Sequence, residues 1–539
     1  MIPISSSSRR SVTTTAIFAV LLGLGGMTSA ATDKKPAPAP PPPSRPAPQQ
    51  QQRPAPQQQQ FQPQQQQRPQ QQFQPQQQQP ARNTTFGSPA GGNRPITTTS
   101  PGIRPTTTTG GQPFNSNMQH SPGFPQGRSF GSGPSTFRAG PAPRGSSERI
   151  APSGSAFRTR PNGHLSDVHD ARRGMDIHHE LNGNRRIAVE RADHSHMVFE
   201  RGRPGFVQRG YSYQGHDFGR RAYYYHGHEF NRYYRSYGYR GMSLSVYAPG
   251  LYYSPGFYGW AYHPWGAPIS YGWGWGGSPW YGYYGGYFAP YQTYPSASYW
   301  LTDYMISQDL QESYAAHQEA GEQDGAPYIQ GAPPVLTPDV KQQVANEVQN
   351  MVALENQEAV QTSQHQDVDP GSSGIARLLG DGRPHVFVPG TALDVVDVNG
   401  QECGISDGDV LMLQTPPPAD ATAANLVVLA SKGGQECLKS SVVTVQLSDL
   451  QEMQNQMRAT IDQGLQELQS KQGKGGLPPA PVSAQAAPVQ TGYADVAPPL
   501  NPQDAVDLQQ QSQLADQAEK DVAAEASQGG SGAPAALGR

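Results

Sequence analysis

Nine of the fourteen histidines fall between His164 and His228, and two His-x-His pairs stand among them, His194 with His196 and His226 with His228. Residues two apart on a strand project from the same face, so each pair would offer two imidazoles to one transition metal. No third ligand at a characteristic spacing accompanies either pair, and a half-exposed sheet accommodates Tyr, His and Arg equally well. No metal or other cofactor is therefore expected. The only cysteines, Cys403 and Cys437, occupy the same place in two copies of one tetrapeptide, Gly400–Cys403 and Gly434–Cys437. In an oxidising compartment they read as a disulfide worth about 3–4 kcal/mol for a loop of this length, the alternative being two buried thiols. No histidine pairs with either cysteine by pattern, so neither reads as a nucleophile. Between Arg220 and Arg240, Arg alternates with Tyr, a mixture that grips phosphates and stacked rings and also one that packs across strands of a sheet.

Further catalytic signatures are missing from the sequence. There is no phosphate loop, GxSxG elbow, HExxH or Asp-Thr-Gly, and Asp397, Asn399 and Gly400 imitate a calcium loop without its later ligands. No catalytic residue is assigned, and an enzyme is not expected.

The elements that carry these residues are unevenly distributed. Arg9 and Arg10, the apolar run Ala16–Leu24 and the small residues Thr28, Ser29 and Ala30 read as an export signal (1–30) cleaved after Ala30. The apolar run is short for a membrane span, and Val12 argues for the general secretory route over a twin-arginine one. Residues 31–167 read as a disordered arm rich in Pro, Gln, Thr and Gly, with runs such as Gln57–Gln60 and Thr106–Thr109. A basic β-meander is expected over 168–241, where period-two runs are broken by turn signals and Gly215-His216-Asp217-Phe218 recurs as Gly227-His228-Glu229-Phe230. Residues 242–297 are rich in Tyr, Trp and Gly, either as an aromatic cap on the meander or as an exposed sticky surface.

Helical segments and a linker follow over 298–365, the second helix capped by Thr337 and Pro338 with Val340, Val344, Val348, Met351 and Val352 along one side. The duplicated strand, turn and strand units of 375–448 suggest a small β barrel or sandwich. An amphipathic helix over 449–473 is read with Ser448 as its cap and Gly473 as its stop, and 474–539 reads as a disordered acidic tail. The fold class is thus a largely disordered chain with β-rich ordered parts and a few short helices. From Ala31 to Trp300 there are 27 Lys and Arg against 11 Asp and Glu, and from Leu301 onward 10 against 31. Oppositely charged halves attract, within one chain or between chains, more weakly as salt rises.

The stretch Ser298-Tyr299-Trp300-Leu301-Thr302-Asp303-Tyr304-Met305 and the run Asp397–Val410 resemble segments of exported bacterial envelope proteins with a Tyr/Trp/Gly-rich centre and a GQEC-containing β domain. That resemblance implies a periplasmic, secreted or cell-surface location and brings no activity and no site residue. The expectation is a non-enzymatic envelope protein acting through contacts with envelope proteins or itself. The alternative is a module that binds envelope polysaccharide or lipopolysaccharide through the aromatic and basic region. Nucleic acid is not an expected partner, and no integral membrane segment is expected after signal cleavage.

Overall fold

A computed structural model describes residues 142–320 and 334–528; the segment expected to be an export signal, the expected arm to residue 141 and the last eleven residues lie outside the described residues. Ten strands follow one another and pair antiparallel in chain order: β1 (Ser147–Ile150), β2 (Ala156–Thr159), β3 (Leu165–Asp170), β4 (Met175–His179), β5 (Arg185–Glu190), β6 (His196–Glu200), β7 (Gly205–Tyr213), β8 (His216–Tyr225), β9 (His228–Tyr239) and β10 (Met242–Ala248). Two kinds of turn set the register. Four early loops are closed by backbone bonds from Ala151 to Ser155, Arg160 to His164, Glu180 to Asn184 and Arg191 to Ser195. In each, the third side chain (Ser153, Asn162, Asn182, Asp193) accepts the backbone N–H two residues on. The last three hairpins turn on Gln214-Gly215, His226-Gly227 and Arg240-Gly241, both residues at positive φ, whose twist matches that of long strands.

The meander begins at Ser147, well before the expected 168. Its first strands, Ser-Glu-Arg-Ile and Ala-Phe-Arg-Thr, are too short and polar to show a period alone, and they are held by pairing, β2 with β3 and β1 with β2.

After the meander come β11 (Leu251–Tyr252) and the helices α1 (Pro255–Tyr262), α2 (Pro279–Tyr284), α3 (Ala297–Ala320), α4 (Pro338–Ser363) and α5 (Ile375–Gly380). The aromatic segment is a core and not a sticky surface. Phe257, Tyr258, Tyr287, Phe288, Tyr294 and Trp300 are fully buried against Met305 and Leu310 of α3 and Val344, Val348 and Met351 of α4. Lys341 pins it, pairing with buried Asp303 at 2.5 Å and lying 3.7 Å over the Tyr291 ring. The apolar stripe of α4 thus docks on its own chain.

Six further strands, β12 (His385–Phe387), β13 (Leu393–Asp397), β14 (Glu402–Ile405), β15 (Val410–Leu413), β16 (Ala423–Ala430) and β17 (Val442–Gln446), form an open antiparallel sheet ordered β12-β15-β16-β17-β13-β14. The described residues contain no closed barrel, because the two tetrapeptide copies take different structures. The first completes the β13–β14 turn, whereas the second coils back, Glu436 accepting from the N–H groups of Lys432 and Gly433.

The chain continues into α6 (Leu447–Lys471), β18 (Val489–Gln490), which pairs with β11, α7 (Gly492–Asp495) and α8 (Gln503–Gln528). Gln446, not Ser448, is the residue before α6, and it makes no side-chain cap bond. Leu450, Met457, Ile461, Leu465 and Leu468 of α6 are buried as its period requires. Gly464 lets α6 cross α3, since a Cβ there would stand 2.6 Å from Leu301. The helices are not the few short ones expected: α3, α4 and α8 have 24 to 26 residues, and α6 has 25, the length expected for it.

Where a disordered tail was expected, α8 lies along the meander. Ala515, Ala518 and Val522 pack on Val168, Met175, Ile177 and Ile187, and Leu508 on Met197 and Val207. Its carboxylates meet the basic strands: Asp504 binds Arg191 and Arg209, Asp516 and Glu519 bind Arg185, and Asp521 binds Arg173. An Ala- and Gln-rich sequence hides such a helix, because its stability comes from the surface it docks on. No helix among the described residues is long and apolar enough to cross a membrane.

Candidate binding cavity

Strand alternation gives the meander two faces. Ile187, Val189, Met197, Phe199 and Val207 point to α8, and the intervening residues point to the opposite, inner face. On that face Ala188, Val198, Phe206, Tyr223 and Phe230 stand directly opposite one another across β5 to β9, forming one continuous apolar row. The Tyr223 and Phe230 rings stack at 4.8 Å with planes 2° apart, and Phe206 leans on Tyr223 at 5.1 Å. The next row carries Gln208, Arg221 and Arg232. Two guanidiniums side by side repel unless each is given acceptors and rings. Arg221 lies 4.0 Å over Tyr234 and bonds Gln208 and Glu452, while Arg232 lies 5.0 Å over Tyr223 and donates to Gln456 at 2.6 Å.

Helix α3, helix α6 and the loop at Gly390 close over this face without filling it. They leave a cavity of about 360 Å³, walled on one side by the aromatic row and on the other by Gln311, Glu312 and Ala315 of α3 and Asp449, Glu452, Gln456 and Gln463 of α6. Its rim is pinned by Arg203, which bonds Glu200 at 2.5 Å and grips Asp407 with two nitrogens at 2.5 and 2.6 Å. Gly202 beside it is at positive φ, and a Cβ there would lie 2.6 Å from Ala316 of α3.

Charge in the cavity is unevenly satisfied. Burial raises the Glu452 carboxyl, and its pair with Arg221 outweighs that effect and holds it below the ordinary value. Asp449 has no such partner: burial pushes it up to about 6, with Arg186 pulling it down and Glu452 pushing it up. Glu312 is raised by burial, with Arg232 and Arg203 partly offsetting it. Among the described residues neither carboxyl accepts a hydrogen bond, and the Arg186 Nε is buried without one.

The residues singled out in the sequence lie elsewhere. His194 and His226 sit in turns at positive φ, so neither shares a strand face with His196 or His228. His194 contacts Glu190 at 3.4 Å, His226 meets Glu319 at 2.8 Å, and His196 is buried at the start of β6. Among the described residues no cluster of three or more His, Cys, Asp or Glu has the geometry of a metal site. Cys403 and Cys437 stand at bonding distance, 2.09 Å, and join the coiled second tetrapeptide to β14. Of the Arg–Tyr alternation, Arg220 and Arg235 bind backbone carbonyls of Pro498 and Val368, and Arg240 those of Pro418 and Ala421. Only Arg232, Tyr223 and Tyr225 of that stretch, with Phe230, reach the cavity. Glu312, Asp449 and Arg186 were not foreseen; for the two acids the one available signal was a charge on the otherwise apolar side of a helix, and for Arg186 of β5 there was none.

Comparison of the chain with protein families, with curated proteins and with solved structures gives no match in any of the three. The site must speak for itself.

Proposed function

We propose that the protein is an exported, non-enzymatic binding protein that holds a saccharide of the cell envelope in the cavity between the meander and helices α3 and α6. The observation that carries this reading is the joining, in one cavity, of a flat stacked aromatic wall to planar polar side chains with unused bonding capacity. A sugar ring has an apolar face of C–H groups that lies against aromatic rings, and an edge of vicinal hydroxyls that suits carboxylate, guanidinium and amide groups. Tyr223 and Phe230 supply the first surface. Glu312, Asp449, Arg186 and Gln463 supply the second. The volume falls in the range of small-molecule sites, roughly 300–1,000 Å³. The leading expectation from the sequence, contacts with envelope proteins or itself aided by oppositely charged halves, has less support than the glycan-binding alternative, since the meander and α8 spend those charges on each other.

The test is calorimetric titration of the purified protein with soluble oligosaccharides, alongside Ala315→Trp, which fills the cavity from α3. Binding of one equivalent by the native protein and none by A315W, with an unchanged melting profile, is the expected result. Saccharide binding that A315W leaves intact would place the ligand elsewhere and remove the proposal.

A further inference from the structure

Resting on the reading of the cavity as a saccharide site, we infer that its ligand is a linear, unbranched chain of about four sugars laid across the strands of the meander. The shape of the cavity follows from the register of the residues that line it. Val198, Phe206, Tyr223 and Phe230 form its floor, one from each of the neighbouring strands β6 to β9, and Arg186 extends the lining to β5. Four spacings of about 4.8 Å between those strands give a length of about 19 Å. Along the strands the cavity is narrow. Arg186, Glu200, Pro204 and Tyr225 each stand two residues along the chain from Ala188, Val198, Phe206 and Tyr223, so they form a second row about 7 Å from the floor. Of the row on the other side, only Arg232 lines the cavity.

Helix α6 runs the same way. Its Glu452 bonds Arg221 of β8, its Gln456 bonds Arg232 of β9, and its Asn455 donates to the Ser245 carbonyl of β10, so the helix crosses the strands. Asp449, Glu452, Met453, Gln456 and Gln463 line the cavity over a stretch of about 21 Å, at 1.5 Å of rise per residue. Sheet and helix thus bound one slot, about 20 Å long and little more than one sugar ring wide. A compact ligand leaves most of such a slot unfilled, and a branch collides with the second row or with α6. A chain of 1,4-linked sugars advances by about one strand spacing per unit, so about four units fill the length. Each ring lies over the floor row, with its hydroxyl edges toward the second row on one side and the amides and carboxyls of α6 on the other.

The test titrates the native protein calorimetrically with linear 1,4-linked oligomers of glucose and of N-acetylglucosamine, from one unit to six. In at least one series the dissociation constant should fall about three- to tenfold with each sugar up to four, as ring stacking implies, and change by less than about twofold beyond that. A tetramer of the same sugar branched at its second unit should bind at least about tenfold more weakly than the linear one. Val198→Trp, which fills the β6 end of the floor, should move the plateau from about four sugars to about two. The length series needs no variant and stands even where V198W disturbs folding. Binding that A315W abolishes, but that is as tight for one or two sugars as for six or for the branched tetramer as for the linear, overturns the chain inference and leaves the saccharide site standing. Failure of every oligomer to bind overturns both.

Discussion

The two faces of the meander use the same kinds of charge to opposite ends. On the outer face Arg172, Arg173, Arg185, Arg191 and Arg209 each meet a carboxylate of α8, and the apolar strip between them is covered by alanines. On the inner face Arg221 is spent on Glu452, whereas Arg186, Asp449 and Glu312 make no ion pair at contact distance among the described residues, and the aromatic row is left bare to a cavity. Charges that serve the fold are spent within the chain, and unspent ones mark the place where a ligand completes the set.

The contrast can be attacked from either side. Ending the chain after Asn501 removes α8 and bares Met175, Ile177, Ile187 and Met197. At about 1.5–3 kcal/mol per fully buried apolar side chain, the loss should exceed about 5 kcal/mol or lead to aggregation. Urea unfolding and binding of a hydrophobic dye would report it, and an unchanged transition midpoint would mean that α8 is not part of the fold. Arg203→Ala strands Glu200 and Asp407 at the cavity rim and should cost about 3–5 kcal/mol, measured the same way. Asp504 is fully buried and shared by Arg191 and Arg209, so Asp504→Asn should cost about 2 kcal/mol, with a dependence on salt that the native protein shows less.

Asp449→Asn should move stability the other way. A carboxyl held at about 6 in the folded state keeps a proton that the unfolded chain, at 3.8, has lost. The native protein is therefore favoured below the unfolded value and loses that advantage as pH rises through about 6. The variant should match it near pH 4 and exceed it by about 1 kcal/mol above pH 7, in thermal melts across that range. Arg172, exposed and paired with Glu525 at 3.1 Å, marks the small end: Arg172→Ala should change stability by less than about 0.5 kcal/mol.

The strands from Met175 to Tyr239, the α4 stripe and the α6 seam were legible because each carries a clean period or a marked turn. The Ser147–Ile150 and Ala156–Thr159 strands were not, since their reason for being strands lies in the neighbour they pair with. Helix α8 was hidden for a similar reason: Ala515, Ala518 and Val522 are a weak stripe until the meander face is beneath them. The repeated Gly-Gln-Glu-Cys pointed to two like units, yet Glu402 bonds Arg160 across the chain while Glu436 folds back on its own loop. Cavity residues were the hardest to see. Phe206, Tyr223 and Phe230 align only through the register of three strands, and Asp449 gains its character from burial, opposed by Arg186 more than 260 positions away.

The most direct measurement is a crystal structure of the protein with the tightest-binding oligosaccharide. A sugar ring lying against Tyr223 and Phe230, with Asp449 and Glu312 within hydrogen-bonding reach, is the expected result. An empty cavity with the sugar held on another surface would contradict it.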